Sequence, residues 1–332
     1  MFQFALSPYA MRMTGNRGKF TFLGSIARLL LVLWVAEMIA SLPTFALLMG
    51  QNLSEIIELA EDMTLDQLTA AEYEAAIQAM LLENLTSPTF GLTTYIGLGA
   101  VIAGAFFYML VLDHRPLYQM GLPLEKGQGR PLLLYPLIGA LAIGLVVLVN
   151  YLSGAVAFTP TTPTLWHLGL GLAEGIASSA YLFFFLGAFL PTILSQTRRF
   201  WSSVLWCAVL LGLYLAPPTA STLLGSLNGV LLALVLILLL VRVGHIWAPI
   251  LAYGTFRILG DVLFGDKAYT YLPEAILDPV LSVGRELTHG GDGGYLGGLA
   301  ATLILALCLL AVLYFPKKKV AVDTGSFTQS TL

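Results

Sequence analysis

Of the 332 residues, 58% are hydrophobic and only 11% are charged, against the roughly 25% charged share of a soluble domain. This composition excludes an ordinary soluble enzyme. The formal net charge of −3 carries little weight, because in a membrane protein what matters is the side of the bilayer on which each sign falls. The two cysteines, Cys207 and Cys308, lie in separate apolar runs, which excludes a disulfide framework or a paired-cysteine metal site.

In chain order, residues 1–22 form an N-terminal segment carrying Arg12, Arg17 and Lys19. Residues 23–50 are an apolar run longer than a signal-peptide core and without a small-residue cleavage site, so they are expected to be a retained first span, kinked at Pro43. Residues 51–90 then hold Glu55, Glu58, Glu61, Asp62, Asp66, Glu72, Glu74 and Glu83 and no basic residue. Two amphipathic surface helices are expected there: Ile56, Leu59 and Met63 share one helical face, as do Tyr73, Ile77, Met80 and Leu81. Thr69 with Glu72 reads as a capping box. The insertion is either an acidic cover over the outer mouth of the bundle or a docking surface for a cationic peptide.

Seven further apolar runs follow, near residues 91–112, 132–152, 167–195, 201–216, 220–241, 246–264 and 294–315, each about the length that a hydrocarbon core demands of a helix. Lys and Arg collect in alternate connections. The N-terminus has its three cations, the second-to-third connection has Arg115, Lys126 and Arg130, and the fourth-to-fifth has Arg198 and Arg199. The sixth-to-seventh has Arg242, and the C-terminal segment 316–332 has Lys317, Lys318 and Lys319. The opposite connections hold only Lys267 and Arg285. The expectation is therefore an all-α, polytopic transmembrane bundle of about eight spans with both termini cytoplasmic, as the positive-inside rule requires. The outer loop at residues 265–293 ends in the glycine-rich run HGGDGG, read as a plain loop that could move.

One stretch stands out in this frame. Residues 166–191, WHLGLGLAEGIASSAYLFFFLGAFLP, form a helix-length apolar run with a single carboxylate, Glu174, whose burial costs about 2.5–3.5 kcal/mol on insertion scales.

Residues 181–218, YLFFFLGAFLPTILSQTRRFWSSVLWCAVLLGLYLAPP, and residues 244–265, GHIWAPILAYGTFRILGDVLFG, resemble the core of the CPBP family of intramembrane endopeptidases, which process CAAX and bacteriocin-leader peptides. The run RPLYQMG at residues 115–121 resembles that family's lead-in, and the likeness covers most of residues 91–264, the expected membrane core. The resemblance implies paired glutamates at Tyr181 and Leu182, the motif arginine at Leu186, a histidine at Leu215, a last histidine at Tyr253 and an asparagine at Arg257. None of these positions keeps the family residue. Leucine cannot activate water, and the tyrosines, with an ordinary pKa of about 10, are hydrogen-bond donors more than bases near neutral pH. No metal or cofactor is expected.

Rise per residue puts Glu174, Arg257, Asp261 and Glu37 in one outer half of the bilayer. They form a candidate polar site in which Arg257 pairs with Glu174, with Asp261 adjacent and Glu37 as a fourth member, serving either as a structural ion pair or as a pocket open to the outside. The expected function is binding of a membrane-protein or peptide partner by a bacterial plasma-membrane pseudoprotease, with lipid around it and no nucleic acid. The alternative is an active endopeptidase with Glu174 as its base, and a transporter subunit is a third reading.

Overall fold

The computed structural model describes residues 22–64, 69, 72–73, 75–76, 88–123, 130–197, 200–217, 223–266 and 275–314, and the chain is mostly helical. The expected features at residues 1–21, most of 65–87, Lys126, Arg198, Arg199, Lys267 and the lysines at 317–319 lie outside the described residues.

Helix α1 runs unbroken over Phe22–Thr64. The sequence suggested a span ending near residue 50 and a separate surface helix, but the residues after it, QNLSEIIELAEDMT, are rich in Glu, Leu, Ile and Ala, and no turn chemistry interrupts them. Its 43 residues extend about 64 Å, twice the roughly 30 Å of a hydrocarbon core, with Pro43 accommodated inside. The capping box is present: Thr69 N–H donates to Glu72 Oε2 at 2.8 Å, and Glu72 N–H donates to Thr69 Oγ1 at 3.3 Å. These donors hold the Glu72 carboxyl below the usual carboxylate range.

Helix α2 (Pro88–Phe107) packs along α1 and passes into a π turn, Tyr108–Leu112. Helix α3 is Leu134–Leu152 and α4 is Leu165–Ala177. After a tight turn at Ser178 and Ser179 come α5 (Ala180–Phe184), a π turn (Phe185–Phe189) and α6 (Leu190–Thr197). Helices α7 (Phe200–Leu215), α8 (Leu223–Val243) and α9 (Trp247–Ile258) follow, the last continuing into a π turn at Leu259–Leu263. A short α10 (Glu286–His289) precedes α11 (Leu299–Tyr314). Among the described residues, five stretches are long and apolar enough to cross a membrane: Leu23–Ala46, Tyr95–Leu112, Leu134–Leu152, Leu165–Gln196 and Leu223–Val243. Phe200–Leu215 and Leu299–Tyr314 are apolar but shorter.

In an 18-residue segment of Leu165–Gln196, 72% of the residues are buried, against 17% in a segment of the same length in the first span, so α4 to α6 lie inside the bundle and α1 lies at its periphery. Leu182, Phe184, Phe185, Leu186, Phe189 and Leu190 are fully buried in the core. Asn228 on α8 ties that helix to the start of α11: its Nδ2 donates to Leu296 O at 2.7 Å and to Gly298 O at 3.0 Å, and Thr302 donates to its Oδ1 at 2.8 Å.

A two-stranded antiparallel sheet, absent from the sequence expectation, joins two connections. Strand β1 (Val156–Pro160) pairs with β2 (Leu277–Leu281), in register from Val156 opposite Leu281 to Pro160 opposite Leu277. The glycine run near residue 290 is also built rather than loose. It forms two 3-10 turns, Gly291–Gly293 and Tyr295–Gly297, and Gly290 adopts φ +93° where a Cβ would strike the Gly294 carbonyl. Beside it the buried His289 accepts Gly291 N–H on Nδ1 at 3.0 Å, which leaves Nε2–H to donate to Ser282 O at 3.2 Å.

Candidate functional site

Helices α4 and α9 approach closely because residue 175 is glycine; a Cβ there would run into the Ile258 side chain. That approach brings the buried Arg257 of α9 to Glu174 of α4, with Nη2 3.4 Å from Oε1. The same Nη2 lies 2.9 Å from Oδ2 of Asp261, one turn on in the π turn. The side chains of Arg257 and Asp261 are 3% and 1% exposed, while that of Glu174 is 17% exposed, so the cluster is reached from the Glu174 side.

Other groups face this cluster. Asp266, buried just after the π turn, accepts the Tyr295 N–H at 3.4 Å and acts electrostatically on both Arg257 and Asp261. Tyr253, one turn before Arg257, is buried beside Ser178, and Tyr95 of α2 lies within the field of Glu174, Asp261 and Arg257. Among the described residues the site thus holds three carboxylates near one guanidinium.

Glu37 is not a member. The hydrogen-bonding partners of its carboxylate are the hydroxyls of Tyr214 on α7 and Tyr181 on α5, whose rings lie 5.0 Å apart. Depth arithmetic gives height along the bundle but not direction around it.

The remaining positions singled out by resemblance belong to the core: Leu182 and Leu186 are 0% exposed, Leu215 is 2% and Tyr253 is 4%. Among the described residues, no group of three or more His, Cys, Asp or Glu is placed to hold a metal ion.

Sequence reasoning missed a second buried ion pair. Arg115, assigned to a cytoplasmic connection, is 5% exposed and contacts the Asp113 carboxylate through Nε. It also donates to Ser195 Oγ at 2.6 Å and Pro191 O at 3.3 Å, which ties the end of α2 to α6. An acid two residues from an arginine at the end of an apolar run was the available signal. His245, in the turn between α8 and α9, is fully buried, with the Tyr135 ring edge-on at 5.5 Å.

Comparison with protein-family models, curated proteins and solved structures returns no match for this chain. Fold and site together define a mostly helical protein with, among the described residues, five stretches long and apolar enough to cross a membrane and a buried carboxylate–guanidinium network between α4 and α9.

Proposed function

We propose that the chain is a multi-pass protein of the bacterial plasma membrane, with eight spans and cytoplasmic termini. On this reading it resembles the CPBP endopeptidases in framework but has no protease site, and it works by binding another membrane protein or a peptide. One observation carries the non-catalytic part. Leu182, Leu186 and Leu215, at positions where the resemblance implies catalysts, are packed into the apolar core, and Arg257 is engaged by two carboxylates. Hydrolysis of a peptide bond needs a water activated by a base or metal and donors for the developing oxyanion, and leucine supplies neither. Glu174, the base of the competing endopeptidase reading, faces the Arg257 guanidinium at 3.4 Å. The alternation of basic connections supports the eight-span topology.

The experiment pairs topology with turnover. Tags after Leu332 and within residues 51–90 should report opposite sides of the membrane in intact cells; protection of both would exclude eight spans. The purified protein in lipid should leave prenylated and leader-type peptides intact. Turnover abolished by Glu174→Gln and retained by Glu174→Asp would replace this reading with the endopeptidase.

A further inference from the structure

Glu37 is a carboxylate set inside an apolar span. It lies in the stretch Leu23–Ala46 of α1, about 21 Å along the helix from one end and about 14 Å from the other. Its hydrogen-bond partners among the described residues are two phenols, Tyr181 of α5 and Tyr214 of α7. Helix α1 has its main contacts with α2 and α6, not with α7, so the carboxylate reaches across a cleft at the side of the bundle. The cleft is open, since Glu37 is partly exposed and Tyr214 is 41% exposed.

The segments that build this site bring no cation to it. Glu37, Tyr181 and Tyr214 each fall in a long stretch without Lys or Arg, residues 29–114, 131–197 and 200–241. Arg28, the nearest basic residue on α1, is exposed and about 14 Å away along the helix. A carboxylate offers about four acceptor positions, and the two phenols fill two of them. A carboxylate in a spanning segment is costly in lipid, and such groups pair with a cation or mark a functional site.

Depth selects the occupant. A dissolved cation or a lipid headgroup stays at the interface, whereas a Lys or Arg on another spanning helix reaches this level and loses its own cost of facing lipid when it pairs. The exposed ring of Tyr214 adds a face on which an ammonium or guanidinium group can rest. Nearby, Trp34 one turn before Glu37 and Leu213 beside Tyr214 present exposed apolar surface for a helix to lie on. We propose that Glu37, held by Tyr181 and Tyr214, docks a Lys or Arg side chain carried at mid-span by a transmembrane helix of a partner protein. The proposal deepens the binding part of the function above and rests on that part, not on the absence of protease activity.

The test uses the full-length protein in lipid vesicles with synthetic single-spanning polyleucine helices, association being read by energy transfer between labelled protein and labelled helix. A helix with one central Lys should bind about 3- to 30-fold more tightly than the all-leucine helix, the range that interhelical polar contacts give in membranes, and a helix with its Lys at one end should show no such gain. Glu37→Gln should erase the preference. Tyr214→Leu keeps the carboxylate but removes the ring and one donor; it should reduce the preference, and it serves if Glu37→Gln fails to fold. Equal or undetectable binding of the Lys and all-leucine helices, or a Lys preference that survives Glu37→Gln, overturns the proposal. Helices that associate equally with and without Lys remove this site and leave partner binding in place, whereas peptide turnover by the same preparation removes the non-catalytic reading and leaves the site.

Discussion

Arg257 and Glu174, 83 residues apart in sequence, face each other across the α4–α9 seam at 3.4 Å, and the same guanidinium nitrogen holds Asp261 at 2.9 Å. Removing the arginine takes the counter-charge from two carboxylates inside the bundle, whereas removing the partly exposed glutamate leaves Arg257 paired with Asp261. Arg257→Leu should therefore cost about 3–5 kcal/mol of stability and Glu174→Leu distinctly less. The double variant should lose less than the sum of the two, because contacting residues couple by about 0.5–3 kcal/mol. Thermal melts of the three variants check this, and strictly additive losses would show that the pair does not interact.

The clamp at Asn228 should discriminate among substitutions. Asn228→Leu takes the Nδ2 donor from the Leu296 and Gly298 carbonyls and the 2.8 Å acceptor from the Thr302 hydroxyl, a loss of about 1–3 kcal/mol for each buried group left unsatisfied. Thr302→Val removes one bond and should be milder. Asn228→Asp places a carboxylate against two carbonyl oxygens and should be the most damaging. Melting temperatures should fall in the order Thr302→Val, Asn228→Leu, Asn228→Asp from least to most affected; equal melts for all three would deny the clamp.

What could be read in the sequence was what depends on local composition. The described residues of the eight apolar runs lie mostly on helices, and the Thr69–Glu72 capping box forms, because hydrophobic runs and cap chemistry are properties of short segments. Arg257, Glu174 and Asp261 could be brought together by rise per residue, since Glu174 and Arg257 lie on α-helices at matching heights and Asp261 follows one turn after Arg257 in the π turn. Glu37 could not be assigned in this way, because its partners depend on the rotation of α1 against α5 and α7. The β1–β2 pairing was hidden for a similar reason. Its strands have five residues each, carry Pro160 and Pro279, and meet only because α3 and α9 deliver their connections to the same place. The unbroken α1 was misjudged at the change from apolar to acidic composition, which alters the helix's solvent but not its backbone.

The Arg115 contacts use the fork geometry of a guanidinium. Nε meets Asp113 while Nη1 and Nη2 donate to Pro191 O and Ser195 Oγ. A lysine offers a point charge on a flexible stem and can satisfy one of these acceptors well but not all three. Arg115→Lys should therefore destabilise the protein by about 1–3 kcal/mol although charge is conserved. Ser195→Ala, which removes one acceptor, should cost less. Melts of Arg115→Lys indistinguishable from wild type would show that charge alone matters here.

His245 gives the protein a pH dependence whose sign follows from burial. The ring lies between α8 and α9, outside both apolar runs, fully enclosed, and among the described residues neither nitrogen has a hydrogen-bond partner. Desolvation pushes its pKa below the ordinary 6.5. Above pH 6.5 the ring is neutral whether the chain is folded or unfolded, so stability there is independent of it. As pH falls below 6.5 the unfolded chain takes up a proton that the folded one excludes, and stability declines by at most about 1.4 kcal/mol per pH unit until the folded-state pKa is reached. The turn under strain is a clamp: Trp247 Nε1 donates to Leu122 O at 2.9 Å and Ile246 N–H donates to Gly121 O at 2.9 Å. Mild acid should loosen that clamp first, seen as faster amide exchange at Ile246. His245→Leu should flatten the acid limb of the melting curve relative to wild type, and an acid limb of unchanged slope in that variant would place the titrating group elsewhere.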